Sequence, residues 1–244
     1  MMQPPAPGPT PSPRVPCTFA GMVEGARLSV PMLPGILVFA AAVGAASAEK
    51  GLTLGQAVLM SFSVYAGASQ LLALQLWPGA FTLSAIMAIV VVTMAVNLRF
   101  LLMGASLQPW LSRGPAGPVH LGLAALTDAN FVIGSRYHGQ GGQDAGVFVG
   151  AGLFMWVIWT LATVPGHALG HLVTDPKRLA IDMVMPLTFT AMSVGLFRLR
   201  RDRLAWPVAA AAAVLTAQFV PGYWFIISGA VAGSLTAGLL HVRD

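Results

Sequence analysis

The residues of this chain that could do chemistry are polar and charged side chains inside apolar segments. Residues 88–107, AIVVVTMAVNLRFLLMGASL, are long enough to cross a bilayer, yet Asn97 and Arg99 lie within them. A charge at the bilayer centre costs about 2.5–3.5 kcal/mol, so Arg99 must face the protein interior or a water-filled cavity. Either it forms an ion pair with Asp128 or Asp182 that locks two helices, or it meets a substrate or takes part in gating.

A second polar group lies in residues 61–76, SFSVYAGASQLLALQL. Gly67, Ser69 and Gln70 fall at mid-depth of this apolar segment, and they predict an interruption of the helix. Exposed backbone groups at such a break survive in a membrane only beside protein or a water-filled cavity, and transporters use them as substrate sites. The alternative is a continuous helix whose serines bond back to their own carbonyls.

Asp128, in LTDANF (residues 126–131), is the best candidate for a titrating carboxylate. Burial favours its protonated form and a nearby arginine favours its charged form, a balance that suits proton coupling. The alternative is a helix N-cap at the membrane interface, at which Thr127 or Asp128 bonds the next turn.

The histidines do not predict a metal site. His167 and His171 lie four residues apart, which is a spacing that metal sites use, but further ligands are missing, so we expect an interfacial, solvated role. The chain has no GxxxxGK[ST] phosphate loop and no GxSxG nucleophile motif. The sequence therefore predicts no enzyme, no cofactor and no metal.

The composition defines the class of protein that must position these residues. The chain is 56% hydrophobic and only 9% charged, with a mean hydropathy of +0.76, whereas globular domains are about one quarter charged. Its apolar runs are about twenty residues long, which is the length of membrane helices rather than barrel strands. The net charge of +5 comes without any nucleic-acid-binding pattern. We therefore expect an all-α polytopic membrane protein in the lipid bilayer.

Apolar segments predict about eight helices, with seven spans as the alternative because Asp128 and Asn130 interrupt the fourth. They fall at 28–48, 53–77, 81–107, 119–135, 145–165, 179–197, 204–220 and 222–241. If the loops alternate from an inside N-terminus, eight basic residues lie inside and four lie outside, namely Lys50, Arg113, Lys177 and Arg178. This excess predicts that both termini are cytoplasmic.

Two further patterns concern organisation. Residues 1–22 are Pro-rich and predict a disordered cytoplasmic tail, followed by one transmembrane domain at 23–244. Prolines near the start of the first and sixth segments are compatible with an inverted repeat. Pairs of glycines four residues apart predict close helix packing: Gly146/Gly150, Gly166/Gly170 and Gly229/Gly233.

MSFSVYAGASQ, AVNLRFLLMGASLQPWL and LTDANF, in that order, make the chain similar to the AzlC-type branched-chain amino acid permeases. The resemblance covers roughly residues 20–240, and its specific elements are AGASQ and NLR. By position it places family motif residues at Ala66, Gly67, Ser69, Gln70, Asn97, Leu98 and Arg99. It implies export of branched-chain amino acids together with a small AzlD-like membrane subunit. Ala129 departs from the family pattern, which often has a second acidic residue there.

We therefore expect a secondary transporter of the bacterial cytoplasmic membrane that exports small hydrophobic amino acids and is driven by the proton motive force. Amides near Gly67–Gln70, or Arg99, could bind the substrate carboxylate, and Asn97, Gln70 or carbonyl oxygens could bind its ammonium. The alternatives are a membrane subunit that transports nothing alone, and a transporter of another small zwitterionic solute.

Overall fold

The computed structural model describes residues 14–170, 203–220 and 224–241. These ranges contain ten α-helices and no strand, which confirms the all-α prediction for the part described. Residues 1–13, the sixth predicted segment, Asp182 and His171 lie outside the described residues. The helices are α1 (Phe19–Ser29), α2 (Leu33–Glu49), α3 (Leu54–Val64), α4 (Gly67–Gln75), α5 (Leu83–Leu111), α6 (Ala116–Ala124), α7 (Asp128–Gly139), α8 (Gly146–Gly170), α9 (Ala205–Phe219) and α10 (Trp224–His241).

Within the described ranges, three helical stretches are long and apolar enough to cross a membrane: Phe19–Glu49, Leu83–Leu111 and Gly146–Gly170. The first begins four residues inside the predicted tail, because Thr18 caps it by accepting a hydrogen bond from the Gly21 amide at 2.9 Å. It joins α1 to α2 through one 3₁₀ turn, Val30–Met32, at Pro31. The first predicted segment is thus interrupted at its proline, whereas the count of seven or eight spans is not confirmed.

The first stretch, α1 with α2, runs parallel to α8. A Cβ added at Gly25 would lie 2.8 Å from the Ala151 amide, and one added at Gly44 would lie 2.6 Å from the His167 amide. Residue numbers along both partners thus rise together. The same contacts confirm the glycine packing predicted on α8, since Gly146 and Gly150 face α1 while Gly166 and Gly170 face α2.

One end of this bundle, which we call the N-terminal end, gathers four chain segments. The Val15 amide donates to the Arg113 carbonyl at 3.0 Å, and the Ala145 amide donates to the Pro16 carbonyl at 2.8 Å. Trp110 at the end of α5 donates its indole N–H to the Gln143 carbonyl at 3.3 Å. Hence the starts of α1, α6 and α8 and the ends of α5 and α7 all lie at this end.

At the other end, which we call the far end, α2 and α8 finish and α3 begins. His167 Nε2 donates to the Leu52 carbonyl at 2.7 Å, and this bond ties the last turns of α8 to the start of α3. Since α5 is 29 residues long, about 43 Å, and finishes at the N-terminal end, it must start near the far end. Helix α4, which precedes it by a short loop, therefore returns to the end from which α3 came.

The second and fourth predicted spans are consequently wrong as spans: each is a hairpin of two short helices. Hairpin 1 (residues 54–75, α3 with α4) enters from the far end. Hairpin 2 (residues 116–139, α6 with α7) enters from the N-terminal end, and a Cβ at Gly122 or at Gly134 would lie 3.0 Å from the same ring, that of Phe148. Hydropathy misses the reversal because two half-length helices together contain as many apolar residues as one span. Arg113 therefore lies at the same end as Arg14 and not, as predicted, at the opposite one.

The outer surface is apolar. Residues 83–106 of α5 include no buried residue, and their exposed side chains include Met94, Leu98, Leu101 and Leu102, as expected of a helix that faces lipid. Helices α9 and α10 match the seventh and eighth predicted segments and pack antiparallel. Added Cβ atoms at Gly229 and Gly233 would lie 3.0 Å from the Ala213 Cβ and 2.9 Å from the Ala209 Cβ, which confirms the third predicted glycine pair.

Candidate functional site

The two hairpins meet at their tips inside the bundle. Helix α3 ends at Val64, and Tyr65 adopts the left-handed conformation, with φ 39° and ψ 44°, before α4 begins at Gly67. The predicted break is therefore confirmed, with its irregular residues immediately before the Gly67–Gln70 stretch. The tip of hairpin 2 is residues 125–127, and the Thr127 side chain comes close to the Tyr65 hydroxyl. A left-handed residue other than glycine is strained, and such strain concentrates at functional sites.

Aromatic rings from α8 surround the tip of hairpin 1. The Tyr65 ring centroid lies 6.2 Å from those of both Trp156 and Trp159, and Tyr65 is buried. Gly67 fits beside the same indole, since an added Cβ would crowd Trp159 and lie 2.9 Å from Phe39 Cε1. Gly67 is thus needed for close packing at the start of α4.

Gln70 lies inside hairpin 1, with both ends of its amide bonded. Its Nε2 donates to Ser61 Oγ at 3.1 Å, and its Oε1 accepts the Trp159 indole N–H at 3.2 Å. Thr163 also donates to Ser61 Oγ, at 2.9 Å. Gln70 and Ser61 have no exposed surface, so this network holds α3, α4 and α8 together.

The two polar residues of α5 contact different hairpins. Asn97 accepts a hydrogen bond from Ser69 Oγ of hairpin 1 at 2.6 Å. Arg99 forms an ion pair with Asp128 of hairpin 2, with 3.1 Å between the Arg99 nitrogen and the carboxylate oxygen. Residues two apart on a helix point to different faces, so α5 connects the two hairpins.

The Arg99–Asp128 pair is not fully buried. The side chains keep 31% and 20% of their surface exposed, and the Arg99 guanidinium also lies 5.0 Å from the Phe100 ring centroid. The first of the two interpretations of Arg99, an ion pair with Asp128, is confirmed. Both charged side chains therefore keep accessible surface beside their mutual contact.

The tip of hairpin 2 is closed by Asn130, a fully buried residue. Its Oδ1 accepts the Thr127 amide at 2.7 Å, and its Nδ2 donates to the Ala125 carbonyl at 3.1 Å. Thr127 is the N-cap of α7 and Asp128 is the first residue of that helix, as the alternative interpretation of LTDANF expected, but this N-cap lies at a hairpin tip inside the bundle and not at the membrane interface. The Asp128 charge therefore lies at the positive end of the α7 dipole, which stabilises it.

Several residues of this site were not singled out from the sequence. Asn130 was recognised only as an interruption of the fourth apolar segment, and Tyr65 and Trp159 were not proposed as site residues. Their signal is a polar atom within an apolar segment, because such atoms need partners in lipid. The prediction of a solvated His167 is wrong: its side chain is buried and bonded to the Leu52 carbonyl, because the start of α3 packs over it at the far end.

No group of three or more His, Cys, Asp or Glu residues that could hold a metal ion exists among the described residues. The candidate site is therefore a polar junction in an apolar bundle. Gly67, Ser69 and Gln70 come from hairpin 1, Asn97 and Arg99 come from α5, and Asp128 comes from hairpin 2.

Apolar helices of spanning length, half-length hairpins and a charged pair between them define an α-helical membrane protein. The family model described as AzlC protein matches residues 31–173, which include both hairpins, α5 and α8. The chain belongs to the AzlC family, and this membership indicates a role in membrane transport. A search of curated proteins and a search of solved structures each found no match.

Proposed function

We propose that the protein is a secondary transporter that exports small hydrophobic amino acids, the branched-chain ones, across the bacterial cytoplasmic membrane. The observation that carries this proposal is the meeting of two half-length hairpins from opposite ends of the bundle beside a charged pair. Broken helices at mid-depth supply fixed partial charges and backbone groups to a substrate, while the site stays enclosed by protein. Such hairpins give one central site an approach from either face.

The proposed site combines polar groups with apolar walls. Gly67 and Ser69 lie in the first turn of α4, whose N-terminus has no side-chain cap, and Asn97 reaches the same turn through Ser69. The Arg99 guanidinium offers a positive charge to a carboxylate. Gln70 supports α4 from within hairpin 1, and Asp128 is the group that we propose for proton coupling.

Charge distribution supports an orientation. Arg14, Arg113 and Arg136 all belong to the N-terminal end, whereas Lys50 is at the far end beside Glu49. Basic residues accumulate on the cytoplasmic side of membrane proteins. We therefore propose that the N-terminal end faces the cytoplasm, in the bacterial inner membrane, and that a small AzlD-like membrane subunit completes the transporter.

Efflux from cells loaded with labelled leucine or valine tests this proposal. The chain is expressed alone, with a small AzlD-like subunit, or not at all, and each culture is assayed with and without a protonophore. We expect faster efflux when both chains are present and a loss of this gain when the proton gradient collapses.

The outcomes separate the alternatives. Efflux of other amino acids but not of leucine or valine would indicate a different zwitterionic substrate. No efflux of any amino acid with the partner present would favour a subunit that does not transport. Asp128→Asn tests the coupling: if efflux and its pH dependence are intact in that variant, Asp128 does not carry the proton.

A further inference from the structure

The polar groups at the hairpin junction differ in how far a ligand can reach them. The Gln70 amide is bonded at both ends and fully buried, and Ser69 is 1% exposed. Asn97 Oδ1 already accepts the Ser69 hydroxyl. Arg99 and Asp128 are the charged groups of the junction among the described residues, and both keep accessible surface.

We infer that Arg99 and Asp128 bind the two ends of a zwitterionic α-amino acid, so that the substrate inserts into their ion pair. In the bound state the Arg99 guanidinium donates to the substrate carboxylate, and the Asp128 carboxylate accepts from the substrate ammonium. This inference rests on the proposed function and deepens it. It moves the ammonium from Gln70 and Asn97, where the sequence placed it, to Asp128.

Charge conservation favours this exchange. A zwitterion carries one positive and one negative end, so its insertion replaces one ion pair by two and leaves no charge without a partner. A simple carboxylic acid would neutralise Arg99 and leave Asp128 unpaired, and a simple amine would do the reverse. An unpaired charge in a low-dielectric site is strongly unfavourable, so the intrinsic pair acts against ligands with one charged end.

The surroundings of the pair suit an aliphatic side chain. Phe100 follows Arg99 directly, Phe131 lies one turn after Asp128, and both pack against the apolar cluster that contains Leu126 at the tip of hairpin 2. A substrate held by its two charged ends on one carbon would place its side chain among these groups. The pair also joins two separate elements, α5 and hairpin 2, so its opening needs no break within a helix.

The test uses the purified full-length protein, with its partner if the partner is needed, in lipid nanodiscs. The ligands are leucine, its deaminated acid isocaproate and its decarboxylated amine isoamylamine. Binding is followed by quenching of the tryptophans that line hairpin 1, and the thermal midpoint of each variant shows that it is folded. For the wild type we expect leucine to bind at least about tenfold more tightly than either analogue.

Two variants reverse the selectivity. Asp128→Asn leaves a positive site, so isocaproate should bind at least as tightly as leucine, while Arg99→Gln should favour isoamylamine in the same way. Glu49→Gln, an exposed neutralisation at the far end, is the matched control and should keep the wild-type order. If a single neutralisation prevents folding, the exchanged pair Arg99→Asp with Asp128→Arg is tested instead. This double variant should keep the preference for leucine over both analogues.

The outcomes distinguish this inference from the proposed function. If the wild type binds leucine but neither variant changes its order of ligands, the exchange at the pair is overturned while the transporter proposal stands. If the wild type neither exports nor binds any amino acid, the proposed function fails, and the inference fails with it.

Discussion

Hairpin 1 and hairpin 2 enter the bundle from opposite ends, and they use their polar groups differently. Hairpin 1 is held by side chains: Gln70 bonds Ser61 and Trp159, and the N-terminus of α4 has no side-chain cap. Hairpin 2 is held from within its own turn, where the Asn130 side chain bonds the Thr127 amide and the Ala125 carbonyl.

This difference shows where charge can be placed in such a site. The buried network of hairpin 1 is neutral and occupies its own donors and acceptors, so it anchors the tip to α8. Because Asn130 satisfies the turn of hairpin 2, the carboxylate of Asp128 is left for a contact outside the hairpin, with Arg99. Hairpin 1 thus supplies the rigid half of the junction, and hairpin 2 supplies the charged half.

The prediction with the largest expected effect tests whether the two hairpins enter the bundle from opposite ends. Glycines near both ends of each hairpin have open space around an added Cβ: Gly55 and Gly79 for hairpin 1, Gly117 and Gly139 for hairpin 2. Single cysteines at these sites, in a Cys17→Ser background, are labelled with a membrane-impermeant maleimide in intact and permeabilised cells. We expect Gly55→Cys and Gly79→Cys to be labelled from one side and the other two from the opposite side.

Straight spans would give a different pattern, with Gly55→Cys and Gly79→Cys labelled from opposite sides of the membrane. That result would exclude hairpin 1, and the corresponding split of Gly117→Cys and Gly139→Cys would exclude hairpin 2. The Cys17→Ser chain without any introduced cysteine sets the background labelling.

The second prediction compares the side-chain amides that hold the two hairpins, Asn130 in hairpin 2 and Gln70 in hairpin 1. Asn130→Leu leaves the part-buried Thr127 amide and the buried Ala125 carbonyl without their partner, so we expect the free energy of unfolding to fall by about 3 kcal/mol. Gln70→Leu should cost less, about 1–2 kcal/mol, because only the Trp159 indole N–H loses its partner while Ser61 keeps its bond from Thr163. Tryptophan fluorescence during denaturation in detergent measures both, and the exposed Gln140→Leu should change little. Equal losses would contradict the proposed difference between the hairpins.

A third prediction concerns the contact between the tips. Tyr65→Phe and Thr127→Val each remove one hydroxyl, and the double variant should show a coupling of about 0.5–1 kcal/mol in the same denaturation assay. The cycle cancels the separate contact that Thr127 makes with Asn130. Tyr137→Phe, farther along α7, should be additive with Thr127→Val. Additivity of the Tyr65 pair would show that the tips are energetically independent.

The smallest effect is expected at the N-terminal end, from which hairpin 2 enters. Burial raises the pKa of the Cys17 thiol above its ordinary value, and the nearby Asp144 carboxylate raises it further. The thiol is then protonated near neutral pH, so wild-type Cys17 should alkylate several-fold more slowly than the exposed Gly139→Cys thiol. Its labelling rate should keep rising at alkaline pH values where the rate at the exposed thiol has levelled off; parallel profiles for the two thiols would argue against the shift.

The sequence predicted the break before Gly67 and the polar group at Arg99, because both are local departures from an apolar pattern. It did not predict the direction of the chain after each break. Hydropathy records apolar length, and neither tip contains a Gly-Pro or Asn-Gly turn signal. The position of Arg113 could have indicated the second hairpin. If Arg113 is assigned to the inside loops, the count of basic residues inside and outside changes from eight and four to nine and three.

The pairing of α3 with α8 and of Arg99 with Asp128 could only be proposed from the sequence, since contacts between distant segments depend on topology. Arg99 had two carboxylates among its candidate partners, and one of them, Asp182, lies outside the described residues. The buried role of His167 was missed for the same reason, because its carbonyl partner at Leu52 is 115 positions away.

The parallel contact between the first helical stretch and α8 has a consequence for biosynthesis. Gly25 and Gly44 meet partners that the ribosome makes more than a hundred residues later, after both hairpins. Protein synthesis proceeds at roughly 5–20 residues per second, so the glycine face of the first stretch stays without its α8 partner for on the order of ten seconds. Helix α8 is then the last piece of this core to be inserted, and its arrival closes the bundle around hairpins that are already in the membrane.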